Sequence, residues 1–373
     1  MALIVFGMSP ILIVFLVLLI IQVGFFSILG GKILAQRNTS NKENNQPGVS
    51  VIIAARNESK HLDTLLEKLV KQDYVDFEVI IANDRSEDNS QDILERWSKK
   101  YTNIRYIQIE ELTDGWTGKK HALYRAINIA QKEILLLTDA DCLPRSSRWI
   151  SHMVKPFQSD NDIVLGYSPY LKTKGWLNRF VQFETLWVAL QYLGFSSIGK
   201  AYMGVGRNMA IRRSSYDLDY LESIKDLEGG DDDLMISHLA TKCRITTQLH
   251  PDSYTLSHAK KTLKSYFKQK IRHLAVGKRY RKKDQTLLGI FTLSYVVGWG
   301  LLIYLLISGA NLKLVLVFFG IRSLIVYFIL NRLGRKLSTD IEFWALPFLD
   351  LCYCFYYPLV ATKALATKQV EWK

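Results

Sequence analysis

The sequence predicts an α/β domain, its sheet covered on both faces, set between membrane helices: one before it and about three after it. Two observations carry that prediction. No charged residue precedes Lys32, and further apolar runs cover Gln285–Leu312, Leu314–Leu330 and Phe343–Thr362, the last two interrupted only by Arg322 and Asp350. Crossing a bilayer core takes about 20 apolar residues, and each run reaches or approaches that length. Between these ends, short apolar strands alternate with helical repeats, the pattern of a largely parallel sheet buried on both faces.

The first run is an anchor rather than a cleaved signal. Its apolar part exceeds the roughly 7–15 residues of a signal-peptide core. No basic segment precedes it, and no small-x-small site lies before Lys32–Arg37. The stretch Lys42–Gly48 is polar, rich in Asn and ends on Pro47-Gly48. Strands are then expected at Val49–Ala55, Phe77–Ala82, Ile104–Ile109 and Ile134–Leu137, with helices at His61–Lys71, Gln91–Lys100 and Thr117–Ala130 between them. After Asp162 the alternation weakens. Trp176–Leu193 reads as an aromatic-rich helix whose Trp176, Phe180, Phe183 and Trp187 repeat at helical spacing, a core pattern more than a sugar platform. Gly204–Asn208 is a tight loop leading into another strand. Leu263–Tyr280 sets Leu263, Tyr266, Phe267, Ile271 and Leu274 among basic residues, an amphipathic helix suited to a membrane surface. The chain therefore divides into an anchor (1–31), a cytosolic linker (32–48), the α/β domain (49–260), the interfacial helix (261–284), a second membrane region (285–363) and a tail (364–373).

The formal charge of +13 does not point to nucleic acid. Such binding needs a basic face with interleaved aromatics on the domain itself. Here Lys32, Arg37 and Lys42, the run Lys278–Lys283 and the link Arg332–Lys336 all flank apolar runs. That is the positive-inside pattern, and it places the domain in the cytosol. The tail is the exception: four crossings would put Lys363, Lys368 and Lys373 outside, so either the last run is interfacial or re-entrant, or the rule is broken there. Cys142, Cys243, Cys352 and Cys354 show neither zinc nor disulfide spacing. His121, His152, His238 and His250 have no partner spacing and read as structural or surface residues.

The polar residues of interest stand at strand ends, where open α/β sheets bind ligands. Arg56-Asn57-Glu58 follows the first strand, Asn83-Asp84 the second and Asp139-Ala140-Asp141 the fourth. Two carboxylates one residue apart can approach one cation, and Mg²⁺ or Mn²⁺ is held by one or two carboxylates plus phosphate oxygens. Taken alone, D-x-D is equally a capped turn. Glu58 and Asp84 are placed to contact a nucleoside. Lys119, at a helix start, is placed to face phosphate, where the helix N-terminus favours negative charge.

In order along the chain, SVIIAARNES, ANDRSEDNS, GWTGKKHAL, LLLTDADC, GVGRNMAIRRSSY and GGDDDL at Gly229–Leu234 resemble the family-2 glycosyltransferases, inverting nucleotide-sugar enzymes of the GT-A (Rossmann-like) fold. Gln269-Lys270-Ile271-Arg272-His273 resembles the Q-x-x-R-W element of that family, with His273 in place of Trp. The resemblance covers about Val49–Tyr280. It implies that Asp139 and Asp141 hold Mg²⁺ or Mn²⁺ and the donor diphosphate, with Gln269 and Arg272 on phosphate or acceptor, and Gly206, Asn208 and His273 on the acceptor side. In the usual E-D-x-D-L pattern the general base lies three residues before Leu, which gives Asp231, with Asp232 next in line. Asp231–Asp233 also reads as the acidic N-terminus of a helix Leu234–Thr241. Inversion is one displacement, so a base must take the acceptor proton on one side while cations stabilise the leaving diphosphate on the other.

The arrangement of spans around the domain resembles ceramide glucosyltransferases and bacterial carotenoid or polyprenol-type glycosyltransferases. It implies a UDP- or GDP-sugar donor and a membrane-lipid acceptor, with no nucleic acid. A processive polysaccharide synthase of the cellulose or hyaluronan type is the alternative, although four spans are few for a polymer channel. An inactive membrane binding or scaffold protein is a second, and it predicts a missing carboxylate that this sequence does not show.

Overall fold

A computed structural model describes residues 9–36, 46–339 and 341–367. The expectations for Arg37, Lys42, Lys368 and Lys373, and for most of the linker and tail, lie outside the described residues. The chain runs α1 (Pro10–Ala35), β1 (Val49–Ala55), α2 (Ser59–Val70), β2 (Phe77–Asp84), α3 (Ser90–Lys100), β3 (Ile104–Ile109), α4 (Gly118–Asn128), β4 (Ile134–Asp139), β5 (Cys142–Pro144) and α5 (Trp149–Val154). It continues through β6 (Ile163–Leu165), α6 (Trp176–Ser197), β7 (Met209–Arg212), α7 (Leu218–Ser223), α8 (Asp233–Leu239), β8 (Ile245–Thr247), β9 (Thr255–Ser257) and α9 (Leu263–Val276). It closes with α10 (Lys282–Ser308), α11 (Leu312–Lys336) and α12 (Leu346–Ala366).

Seven strands form one sheet in the order β3-β2-β1-β4-β7-β6-β8, and β5 pairs with β9 in a small ribbon. β1 to β4 are parallel, as their apolar runs predict. The extension is not wholly parallel: β7 runs antiparallel to β4 and β6, and β8 runs parallel to β6. The alternation of strand and helix fails after Asp162 for this reason, because an antiparallel neighbour needs no crossover helix. On one face Leu62, Leu65, Leu66 and Leu69 of α2 pack with Val51, Ile53, Val79 and Leu136. On the other, Ala122, Leu123 and Ala126 of α4 pack with Ile52, Ile80 and Leu135.

That second core continues without a break into the apolar helices. The α6 helix joins them and is buried along most of its length, as expected of a helix that is apolar on nearly every side. Its Trp187 stands edge-on to Phe26 of α1, with ring centres 5.0 Å apart. A Cβ on Gly194 would lie 2.7 Å from Leu29 Cβ, so the two helix backbones meet there. Phe180, Phe183 and Trp187 are core, as their spacing predicts, but Trp176 is exposed. Four helices, α1, α10, α11 and the segment Phe343–Ala366 that includes α12, are long and apolar enough to cross a membrane. Arg322 Nη1 and Asp350 Oδ2 pair at 2.6 Å, both buried.

The histidines are less isolated than their spacing suggests. His152 and His250 stack with ring centres 4.0 Å apart, beside Asp252. Burial, then the neighbouring His250, lowers the His152 pKa to about 4, and Asp252 only partly opposes this. The folded value lies below the ordinary 6.5, so the unfolded chain binds more protons between those values. Stability is therefore complete above about pH 6.5 and falls as the pH drops towards 4, by up to about 3 kcal/mol. Thermal unfolding in detergent should show this acid loss, and His152→Gln should reduce it. An unchanged pH slope in that variant would exclude His152 as the source.

Candidate functional site

Among β1, β2 and β4 the strand order reverses on either side of β1, which opens a crevice at the carboxyl ends of the strands. A cavity of about 510 Å³ begins there. Arg56 and Glu58 reach it from the end of β1, Asp139 and Asp141 from the end of β4, and Lys119 from the first turn of α4. From the other side come Asp231, Asp232 and Asp233, with Gln269, Arg272 and His273 of α9.

Lys119 ties the two carboxylate groups together, with Nζ 3.0 Å from Asp139 Oδ1 and 3.0 Å from Asp231 Oδ2. Burial pushes its pKa down, but Asp139, Asp231 and Asp232 push it well above the ordinary lysine value. The expected phosphate-facing ammonium is thus engaged by carboxylates. The next residue, Lys120, is fully buried and donates to the carbonyls of Leu227 and Gly229, four and two residues before Asp231. Consecutive lysines at one helix start therefore set the loop that carries the aspartates against the end of β4.

The three aspartates differ in their surroundings. Asp232 caps α8: Oδ1 accepts from Asp233 N at 2.9 Å and Oδ2 from Gly206 N at 2.6 Å. Asp233 Oδ2 accepts from the Tyr280 hydroxyl at 2.8 Å. Burial, then the adjacent aspartates, raises the pKa of both. For Asp231 burial acts in the same direction, but Lys119 and Lys120 outweigh it and hold the carboxyl below its ordinary value. Asp231 is therefore the ionised member, held by Lys119 and facing the cavity.

Not every expected residue reaches the wall. Asp84 is fully buried and gripped by Arg85, whose Nε and Nη2 lie 2.9 and 3.0 Å from its oxygens, so it does not line the cavity. Asn208 is also fully buried, accepting from Trp149 Nε1 and donating to the carbonyls of Tyr167 and Ser253. It fixes the loop rather than facing an acceptor. Gly206 serves through its N–H on Asp232, and a Cβ there would meet that carboxylate at 3.2 Å. Glu58 does line the cavity, with His61 Nδ1 at 2.8 Å. His273 opens onto the cavity. Burial and then the cations Lys270, Arg272 and Arg207 hold it well below its ordinary pKa, so it is neutral.

Two residues of the wall went unnoticed in the sequence. Arg207 lies over the Tyr170 ring at 4.6 Å, and its Nη1 has no hydrogen-bond partner among the described residues. Glu184 accepts from Lys270 Nζ at 2.5 Å and from the Tyr266 hydroxyl at 2.9 Å. As the one acidic residue of an apolar helix, Glu184 carried a readable signal. Arg207 stands inside the quoted loop, where nothing separates it from its neighbour Asn208.

The carboxylates of Asp139 and Asp141 lie with Cys142 Sγ inside a 4.8 Å group. Two hard oxygen donors facing open space suit Mg²⁺ or Mn²⁺. Cys142 does not add to the set, because burial and then Asp141 and Asp139 raise its thiol pKa well above normal.

A largely parallel sheet with acidic residues at its strand ends is thus closed by a second acidic loop and joined to helices long and apolar enough to cross a membrane. Residues 50–218 match the model of glycosyl transferase family 2, so this part of the chain is a family-2 glycosyltransferase domain, and its fold is GT-A. The chain is 29% identical over 176 residues to a 4,4'-diaponeurosporenoate glycosyltransferase of Staphylococcus aureus, covering 47% of this chain and 41% of that one. It is 26% identical over 247 residues to the probable glycosyltransferase YdaM of Bacillus subtilis, covering 63% and 56%. The chain thus spans about half the length of the curated relatives it matches. A mannosyltransferase of Pyrobaculum calidifontis, solved with GDP-Man and Mn²⁺, shares the fold at TM-score 0.51 and 17% identity, over 94% of this chain and 97% of that one.

Proposed function

We propose that this protein transfers one sugar, with inversion, from a UDP- or GDP-sugar to a membrane lipid at the cytosolic face. One observation carries the lipid acceptor. The cavity that holds Asp139, Asp141 and Asp231 continues to Leu288 and Thr292 of α10 and to Tyr353, Tyr356 and Tyr357 of α12, helices that are apolar outside. The acceptor is thus met by polar chemistry at one end and membrane at the other. The relative named for 4,4'-diaponeurosporenoate supports the same class, and the basic residues around the apolar runs support the cytosolic side.

In this reading Asp231 takes the acceptor proton and Lys119, Arg272 and Gln269 surround the diphosphate. Lys119 then exchanges a carboxylate for a phosphate as the donor binds. Asp139 and Asp141 would hold the divalent ion, which supplies positive charge to the leaving diphosphate. Membranes fed labelled nucleotide sugar should yield one solvent-extractable glycolipid. Insoluble polymer instead would establish the processive alternative. Excess EDTA should abolish transfer reversibly, and Asp141→Asn should abolish it permanently. Full activity in EDTA would remove the metal from the reaction.

A further inference from the structure

Both ends of α12 meet the side of the molecule that carries the α/β domain. Lys336, at the end of α11, donates to the carbonyls of Leu34 and Gln36 at the end of α1, and Gln36 Nε2 donates to Thr247 of β8 at 2.8 Å. The chain then stays on that side: Thr339 Oγ1 lies 2.7 Å from the Tyr167 hydroxyl, and Arg179 of α6 lies over the Trp344 ring at 5.6 Å. At the far end of α12, Lys278 Nζ donates to Leu365 O at 2.5 Å. Lys278 belongs to the turn between α9 and α10, where Arg281 also donates to Ala201 O of the domain at 2.8 Å. Between its ends, Tyr356 packs on Tyr266 and Phe267 of α9, with ring centres 6.0 and 5.2 Å apart.

A helix of 21 residues is about 31 Å long, enough to cross a hydrocarbon core. A crossing helix cannot begin and end on one side. We infer that α12 lies along the membrane in the leaflet next to the α/β domain, and that the slot between α10 and α12 admits lipid of that leaflet to the cavity. The outer surface of α12 fits this placement. Phe348, Leu351, Phe355 and Leu359 are exposed at three- and four-residue spacing, a single apolar stripe for acyl chains. The inner surface carries Asp350, Tyr353, Tyr356 and Val360, all buried. It is also the least hydropathic of the four candidate spans. The charge pattern agrees: Lys363 falls on the side of Lys278, Lys282 and Lys283, so the tail no longer breaks the positive-inside rule. Leu288 and Thr292 of α10 line the cavity together with Tyr353 and Tyr357 of α12, and the Thr292 side chain hydrogen-bonds to Tyr357 where the two helices meet. What the slot admits rests on the glycosyltransferase reading; the position of α12 does not.

The test uses full-length protein in sealed vesicles of both orientations and a membrane-impermeant maleimide, with wild type as the baseline for the native cysteines. Thr102→Cys marks the domain side and Lys313→Cys the turn between α10 and α11. Lys363→Cys should label together with Thr102→Cys and be protected where Lys313→Cys labels; the opposite pairing overturns the placement. For the slot, Thr292→Trp should keep nucleotide-sugar binding, which also reports folding, while the KM for lipid rises roughly tenfold or more, the scale of an overpacked site. Unchanged lipid kinetics would overturn the slot. Loss of donor binding in that variant calls for Thr292→Phe, read the same way. Failure of wild type to bind nucleotide sugar at all would count against the proposed function and leave the labelling result standing.

Discussion

Asp231→Asn should still bind nucleotide sugar and lose transfer by about 10²–10⁴-fold, the contribution of one positioned base. The substitution keeps the side chain's shape and removes its charge, so the loop on Lys120 should hold. Asp231 is selected over its neighbours by what each oxygen already does. Asp232 spends one oxygen on the N–H of Gly206 and the other on the N–H of Asp233, and Asn keeps an acceptor for only one of the two. Asp232→Asn should therefore fold with a looser Gly206 loop and retain more activity than Asp231→Asn. Asp233 accepts from the Tyr280 hydroxyl at 2.8 Å, which engages one of its oxygens. Titrating the donor into each variant and measuring labelled lipid separates binding from chemistry. A dead Asp232→Asn beside an active Asp231→Asn would move the base by one residue.

The parallel half of the sheet was legible because β1, β2 and β4 are buried on both faces and the edge strand β3 keeps a buried Ile at each end. Val49–Ala55 and Ile104–Ile109 match their apolar runs residue for residue. β6 and β8, at three residues each, carry too little periodicity to be read. Asp139 and Asp141 were legible from position alone, since a strand end in such a sheet opens on the crevice. Asp84 and Asn208 were not, because spacing tells which residues approach a site and not which way their side chains turn. Asp84 turns to Arg85, and Asn208 turns inward to three partners. The Arg322–Asp350 pairing was legible because a lone charge in an apolar run needs a partner, and each run offered one.

Arg322→Met or Asp350→Asn alone should lower the yield of folded protein sharply, at a cost of about 3–5 kcal/mol, because each leaves a buried charge uncompensated. The pair is part of a larger network. Arg322 Nε donates to Gln22 of α1 at 2.8 Å, and Asp350 accepts from the hydroxyls of Tyr295 and Tyr327 at 2.7 and 3.0 Å. Four helices therefore meet at one ion pair, which fixes α12 against α1, α10 and α11. Neither charge lines the cavity, which assigns the pair to assembly rather than to the acceptor's path. The double variant Arg322→Met with Asp350→Asn removes both charges and keeps an acceptor for the tyrosines. It should recover most of the folded yield, since replacing a whole buried pair is often close to neutral. The exchanged pair, Arg322→Asp with Asp350→Arg, should recover less, because Gln22 and the tyrosines are arranged for the native polarity. Folded fraction is read by size-exclusion chromatography in detergent and activity per folded molecule by lipid labelling. Normal activity per folded molecule in the double variant is the expected result; recovered folding without transfer would place the pair on the substrate.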